Sequence, residues 1–177
     1  NTLTDGDVRN SVVTLREAIR LANGTLSTSV LTAAERGQIS GCVGSGIRET
    51  INFDGGIFPS GTPGTIAIAA PSLPSLTDTV GVLFDGFGKG VIIDGGNTGS
   101  LIGLTAASNT NYFRNFTVKR FSGTGTNGVG ILLSAASNNT ITDVTSRENG
   151  TNGIFVSGGS GNNIIRSTST LNGGLGI

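Results

Sequence analysis

NTITDVT, residues 139–145, returns along the chain in two variants, NYFRNFT at 111–117 and NIIRSTS at 163–169. The three segments therefore start 28 and 24 residues apart, at positions 111, 139 and 163. Each begins with Asn, contains a short β-type run and is separated from the next by Gly- and Asn-rich sequence. Repeats of roughly 20–50 residues with this content are typical of solenoids. We therefore predict coils that stack on one another through parallel strands.

The composition favours an all-β chain. Of the 177 residues, 30 are Gly, only 12% are charged and 36% are hydrophobic. This combination suits short strands joined by tight turns better than a helical bundle. The formal net charge is zero, with 11 basic and 11 acidic residues, and no basic stripe is visible. No nucleic-acid partner is predicted.

The residue types that the chain lacks exclude several kinds of site. It has no His, no Met and a single Cys, Cys42. Imidazole catalysis, His–Cys zinc sites, Ser-His-Asp triads and an internal disulfide are therefore impossible within this chain. We predict that Cys42 is a small buried apolar residue. No apolar run approaches the roughly 20 residues that span a membrane, so no membrane span is predicted.

The first part of the chain carries helical signals. Thr14 and Glu17 have the spacing of a capping box, in which each side chain satisfies the other residue's backbone amide. An apolar stripe follows and ends at Asn23-Gly24, so we predict a helix over about 15–22. The segment 32–35 repeats the capping pattern and predicts one or two further helical turns.

We divide the chain into an N-terminal cap region, 1–48, and a parallel β-helix, 49–177. The β-helix is predicted to have about 24 residues per coil in three short parallel strands, an N-terminal α-helical cap and an unfinished coil at its C-terminal end. Strand alternation predicts which side chains stack in the interior. The predicted stacks are Phe113, Ile141 and Ile165; Phe116, Val144 and Thr168; Ile102, Ile131, Ile154 and Ile177; and Leu104, Leu133 and Val156.

Two parts of the chain resemble known families. TLREAI at 14–19, followed by Asn23, resembles the signature of the CSLREA-type N-terminal region of bacterial surface proteins, with Thr14 in place of the usual small residue or Cys. ETINFD at 49–54 resembles the stretch that this family carries next. From about Ser100 onward the chain resembles the right-handed parallel β-helix repeats of the pectate-lyase-like superfamily. The resemblance implies an all-β, right-handed β-helix in a secreted or cell-surface bacterial protein.

The same superfamily includes enzymes that depolymerise carbohydrates with paired carboxylates, or with calcium-binding Asp clusters and an Arg or Lys base. Asp85 and Asp94 are the best local pair, since the strands that end in Asp-Gly are predicted to be neighbours. Asp143, together with the outward-facing Arg114 and Arg166, gives a second candidate groove. The alternatives are that the Asp-Gly carboxylates cap turns and that the other charges are solvated.

Outward ladders supply candidate ligand-binding residues. Thr117, Thr145 and Ser169 are predicted to form a hydroxyl ladder, and Lys119 and Arg147 are aligned with each other nearby. These residues predict contact with a polysaccharide or cell-surface glycan, although β-propensity on a wet face would place hydroxyls there as well. No metal site is predicted, and calcium is the only cofactor left open.

The functional hypothesis is a non-catalytic, capped segment of an extracellular β-helix protein that serves as a scaffold, adhesion stalk or glycan-contacting stalk. The alternative is a polysaccharide lyase or glycoside hydrolase that uses the Asp and Arg residues of the groove. An unfinished last coil also predicts end-to-end self-association, because exposed strand edges invite pairing.

Overall fold

The computed structural model describes residue 3 and residues 5–177, and most of this chain is a parallel β-solenoid of about four turns. Three short helices precede the strands: α1 (Leu15–Ala22), a 3-10 turn (Thr28–Val30) and α2 (Ala33–Arg36). The strands are β1 (Thr50–Asn52), β2 (Gly64–Ala67), β3 (Leu83–Asp85), β4 (Val91–Asp94), β5 (Leu104–Ala106), β6 (Tyr112–Arg114), β7 (Thr117–Lys119), β8 (Ile131–Ser134), β9 (Thr140–Thr142), β10 (Thr145–Arg147), β11 (Ile154–Ser157), β12 (Asn163–Ile165) and β13 (Thr168–Thr170).

The strands form three parallel sheets that run along the solenoid. The first sheet has the order β1-β3-β6-β9-β12, the second β2-β4-β7-β10-β13 and the third β5-β8-β11. Each coil therefore contributes one strand to each sheet once the third sheet has begun. The predicted stack of coils with three short parallel strands is confirmed, because strands pair with their counterparts one repeat away rather than with sequence neighbours.

Coil length differs from the prediction of about 24 residues. Register partners along the first sheet are Leu83, Tyr112, Thr140 and Asn163. Successive coils are therefore 29, 28 and 23 residues long, measured between those partners. Only the last coil is close to the predicted length, because the earlier coils carry longer loops between their strands.

Inward side chains form apolar ladders that pass from coil to coil. Phe84 lies between Ile51 and Phe113 in the first sheet, and its ring centroid is 4.9 Å from that of Phe116. In the second sheet Ile66, Ile93 and Val118 are register partners, and all three are buried. Alternation of buried and exposed residues along each strand places these side chains in one continuous core.

The last coil shifts the predicted register. Ile164, not Ile165, is the partner of Ile141, so the first interior stack is corrected by one residue. In the third sheet Leu104 pairs with Ile131, which pairs in turn with Ile154, whereas the prediction placed Ile102 in that row. The predicted interior stack of Leu104, Leu133 and Val156 is corrected in the same way, because Ala106, not Leu104, is the partner of Leu133, which pairs in turn with Val156.

The predicted helical signals of the N-terminal region are confirmed. The α1 helix spans Leu15–Ala22 and begins with a capping box between Thr14 and Glu17. The α2 helix begins with the same arrangement of Thr32 and Glu35. Cys42 is exposed, which corrects the prediction that it is buried: in the irregular loop that follows α2, Ile39 and Val43 rather than Cys42 pack against the nearby apolar cluster.

Within the described part of the chain, no helix has the length and apolar character that crossing a membrane requires.

Candidate functional site: ion-paired ladders and a groove

Asp85, a predicted catalytic candidate, lies at the end of β3 and is the register partner of Arg114 on β6. Arg114 donates from Nε to Oδ1 at 2.7 Å and from Nη2 to Oδ2 at 2.6 Å, so both carboxylate oxygens are bound. Asp85 Oδ1 also accepts from the amide of Phe87, and the Arg114 guanidinium lies 5.4 Å from the centroid of the Phe87 ring. The hydrogen bond from Arg114 holds the pKa of Asp85 below its ordinary value.

Asp94, the other member of the predicted pair, ends β4 and is only 3% exposed. Arg120 donates to both of its oxygens, and Lys119 Nζ lies 3.5 Å from Oδ2. Burial on its own raises the pKa of Asp94, but the Arg120 hydrogen bond, the Gly96 amide and the two cations together lower it. The sequence did not indicate Arg120 as a site residue, although Arg120 directly follows Lys119, the register partner of Asp94.

Asp143 and Arg166 lie at one corner of the solenoid, between the first and second sheets. Both have positive φ, 53° and 45°, as does Asn115 one coil earlier at 59°. Arg166 donates to both carboxylate oxygens of Asp143, at 2.8 and 2.7 Å, and to the Thr142 hydroxyl at 3.1 Å. The hydrogen bond from Arg166 lowers the pKa of Asp143.

The predicted pairing of Asp85 with Asp94 is wrong. Asp85 belongs to the first sheet and Asp94 to the second, so their strands are not hydrogen-bonded neighbours. The chain between β3 and β4 turns a corner of the coil instead of forming a hairpin, because each strand pairs with its counterpart in the adjacent coil. Each carboxylate therefore faces an arginine from the next coil and not the other carboxylate.

The three ion pairs have a common chemical consequence. A general acid needs a raised pKa, whereas all three carboxylates have lowered values and stay ionised at neutral pH. Two of the arginines, Arg114 and Arg166, are the predicted groove cations, and both are engaged by an Asp. This arrangement suits the joining of coils better than proton transfer.

The predicted hydroxyl ladder is correct for two of its three members. Thr117 and Thr145 are register partners, but the third position belongs to Thr168. Ser169 is the partner of Ser146, faces inward and donates to the carbonyl of Gly176. The error has the same origin as the one-residue shift in the core: the last coil is one residue shorter than the alignment assumed.

Lys119 and Arg147 are register partners, as predicted. Their electrostatic environments differ, because Lys119 lies next to Asp94 whereas Arg147 pairs with the neighbouring Glu148. Neither residue lines the groove described next.

A groove of about 370 Å³ crosses the outer face of the second sheet. It brings together the predicted residues Thr117, Thr145 and Asp143. Asn115 and Lys89, which sequence reasoning did not select, also line it. Lys89 reaches this face because its segment forms an antiparallel bridge to Pro59, a long-range contact that no local pattern indicates.

In residue 3 and residues 5–177, no three Asp, Glu or Cys residues lie together in a way that would hold a metal ion. The residues that line the groove carry hydroxyl, amide and ammonium groups and one carboxylate, that of Asp143, which Arg166 binds. These groups can donate and accept hydrogen bonds to a polar ligand.

No protein-family model, curated protein or solved structure matches this chain. The β-solenoid therefore rests on the strand pairing itself, and the resemblance to CSLREA-type and pectate-lyase-like proteins stays a prediction.

Proposed function

We propose that this chain is an extracellular, non-catalytic β-solenoid scaffold that is capped by α1 and contacts carbohydrate through the groove on its second sheet. The observation that carries the proposal is the engagement of Asp85, Asp94 and Asp143 by cations from neighbouring positions of the solenoid. Carboxylates that are used to join coils support a structural role and weaken a catalytic one.

The packing of α1 supports its role as a cap. Leu15, Ile19 and Ala22 belong to the same apolar core as Ile51 and Phe53 of the first coil. Polar contacts hold the helix in the same place: Arg16 donates to the carbonyls of Pro71 and Ser72 at 2.7 and 2.9 Å, and Asn23 donates to the carbonyl of Ser75 at 2.8 Å. A helix bound at the first coil covers core that would otherwise be open to solvent.

The groove suits carbohydrate because of its regular polar groups. Thr117 and Thr145 occupy equivalent positions in adjacent coils, so their hydroxyls repeat at about 4.8 Å, the spacing of paired strands. Asn115 adds an amide, and Lys89 adds a cation that forms none of the ion pairs found among the described residues. A hydroxylated ligand with some negative charge would complement this set.

A glycan array followed by titration calorimetry tests the binding. We expect saturable binding without turnover, and we expect the double variant Thr117→Val/Thr145→Val to lose most of it, because valine keeps the shape and β-propensity but removes the hydroxyl. Thr105→Val on the third sheet is the matched control and should bind as the parent does. Equal binding by the double variant and the parent would contradict the assignment of the groove.

One observation favours the enzyme alternative: Asp143, a catalytic candidate, lines the same groove. Pectins, alginate and glycosaminoglycans should therefore be screened for cleavage with and without calcium. Turnover that is abolished by Asp143→Asn but retained in Asp85→Asn, whose carboxylate does not line the groove, would overturn the scaffold proposal.

A further inference from the structure

Phe87 is the most exposed phenylalanine of the chain. Of the eight phenylalanines, six are buried and Phe155 is half-buried, whereas Phe87 is 67% exposed. A single exposed apolar residue is ordinary on a protein surface, so exposure alone does not indicate a role. What distinguishes Phe87 is its position beside the groove and the way in which its ring is held.

The ring of Phe87 lies at the rim of the groove on the second sheet. Phe87 directly precedes Gly88 and Lys89, which line that groove. The guanidinium of Arg114 lies over the ring, 5.4 Å from its centroid, and the next residue, Asn115, also lines the groove. Two chain segments that enter the groove therefore flank the ring, so a ligand that leaves the groove at this corner meets it.

A tight turn fixes the backbone of Phe87. The amide of Lys89 donates to the carbonyl of Gly86 at 2.9 Å, which closes a turn with Phe87 in its second position. Gly88 has a φ of 69°, as the third position of a type II turn requires. The Phe87 amide donates to Oδ1 of Asp85 at 2.8 Å. Because the turn and the overlying guanidinium already restrict the ring, packing a ligand on it costs little conformational entropy.

A flat apolar surface at the rim of a polar groove is complementary to a sugar ring. The face of a pyranose carries C–H groups with partial positive charge, and the face of an aromatic ring is negative. Stacking removes both apolar surfaces from water and leaves the equatorial hydroxyls at the edge, where the groove can bind them. In β-linked glucose all ring substituents are equatorial, whereas in α-linked glucose the glycosidic oxygen is axial and obstructs one face.

We propose that Phe87 is a stacking platform for one sugar of the bound glycan, and that it selects β-linked, gluco-configured pyranoses over α-linked ones. This inference rests on the proposed binding of carbohydrate in the groove, where Thr117 and Thr145 contact the sugars that follow. The selection comes from contact with the ring, because an axial oxygen would hold the sugar away from Phe87 and would lose its own hydrogen bonds to water.

Cellohexaose and maltohexaose are the probes, because both are neutral glucose hexamers and they differ in the configuration of the linkage. Neutral probes also separate stacking from attraction to the charge of Lys89. With the full 177-residue chain, calorimetry should show saturable binding of cellohexaose and weaker binding of maltohexaose. Phe87→Ala should weaken cellohexaose binding about tenfold.

Two further variants show whether the aromatic face is responsible. Phe87→Leu keeps an apolar side chain but lacks the ring, so it should weaken cellohexaose binding nearly as much as Phe87→Ala. Phe87→Trp keeps an aromatic face and should bind at least as tightly as the parent. Urea unfolding of all three variants should remain close to that of the parent, because the side chain is exposed.

Fluorescence reports directly on the position of the sugar. The chain contains no Trp, so Phe87→Trp places a single indole at the rim of the groove. Its emission should shift to shorter wavelength and saturate as cellohexaose replaces water on the ring, and maltohexaose should produce a smaller shift. Val30→Trp is the matched control, because Val30 is exposed in the N-terminal region away from the groove, and its emission should not change.

The stacking proposal is overturned if Phe87→Ala binds cellohexaose as tightly as the parent, if maltohexaose binds as tightly as cellohexaose, or if Val30→Trp responds as Phe87→Trp does. Glycan binding that Thr117→Val/Thr145→Val loses and Phe87→Ala retains would refute the platform and leave the groove in place. The same conclusion follows if the array shows binding of other glycans but cellohexaose does not bind. Absence of any saturable glycan binding would refute both proposals.

Discussion

Arg114 binds both carboxylate oxygens of Asp85, a residue 29 positions earlier in the chain and one coil away along the first sheet. This ion pair joins adjacent coils at the outer surface, which the apolar side chains of the core do not reach. Because each coil contacts mainly its neighbours, such links contribute to the interfaces on which the stability of a solenoid depends.

This ion pair should make stability depend on pH in a defined window. Arg114 lowers the pKa of folded Asp85 below its ordinary 3.8, so the unfolded chain binds this proton more readily. The contribution of this ion pair to stability is fully present above pH 3.8 and is lost as the pH falls through the lowered pKa of folded Asp85.

Urea unfolding of the parent and of Asp85→Asn tests this dependence. The parent should be the more stable of the two at neutral pH, and the difference in stability should disappear in acid. In an Arg114→Gln background the same difference should be small at every pH, and a difference that persists there would contradict the assignment.

The repeat predicted the solenoid, but it could not predict the register of the last coil. Asn162 and Asn163 are adjacent, and so are Ile164 and Ile165, so shifting the alignment by one residue matches Asn to Asn and Ile to Ile either way. The structure selects Asn162, which accepts hydrogen bonds from Asn139. Apolar patterning normally fixes register because a one-residue slip exchanges the two faces of a strand, and here that signal is absent.

Long-range pairing explains the remaining differences at the candidate site. The sequence predicted Asp85 and Asp94 as partners because both precede Gly in similar segments, yet the corner between β3 and β4 places them in different sheets. The pairing of Asp94 with Arg120 depends on a coil of 26 residues folding back on itself. Local propensity carries no information about which coil a side chain will meet.

Asn139 should be among the most sensitive polar positions. It is fully buried, and its Oδ1 accepts from both the backbone amide and the side-chain amide of Asn111, each at 2.9 Å. Asn139→Ala leaves these buried donors without a partner and should lower the free energy of unfolding by about 2–3 kcal/mol. Asn52→Ala, at an exposed position of β1, is the control, and we expect a change of about 0.5 kcal/mol or less in urea unfolding. Similar losses for the two variants would argue against a stabilising Asn ladder.

Gly130 lies where two coils come into close contact. A Cβ at this position would be 2.3 Å from Oγ of Ser146 and 2.6 Å from the carbonyl oxygen of Gly153. Gly130→Ala should therefore force the coils apart and cost about 1–3 kcal/mol in thermal or urea unfolding. Gly61→Ala is the matched control, because a Cβ at Gly61 meets nothing within 4 Å. A neutral Gly130→Ala would mean that the coils separate more easily than the structure indicates.

The proposed cap can be tested through α1. Ile19 is fully buried in the core that continues into the first coil, whereas Leu31 belongs to a separate small cluster with Val13 and Leu21. Ile19→Ala should cost about 2–5 kcal/mol and lower the stability of the whole solenoid, because it opens the end of the core. Leu31→Ala should lower the stability of the N-terminal region more than that of the solenoid. Hydrogen exchange of the strand amides separates these outcomes, and unchanged protection of β1 and β3 in Ile19→Ala would refute the role of α1 as a cap.

The last coil should mediate self-association. Strands β12 and β13 lie at the edges of their sheets with a single paired strand each. Strand β11 is also an edge strand and is covered only at its start, where Ile154 donates to the carbonyl of Gly176. Val156 and Leu171 are exposed beside these edges. Unpaired strand edges with apolar side chains are templates for pairing with a second chain. We therefore expect the 177-residue chain to form dimers or larger species in a concentration-dependent manner by sedimentation velocity.

Leu171→Lys should shift the chain toward monomer, because an ammonium group at the edge is costly to bury between two chains. Val30→Lys, an exposed apolar position in the N-terminal region, should leave association unchanged. If Leu171→Lys associates as strongly as the parent, or Val30→Lys dissociates it equally, the contact does not lie at the last coil.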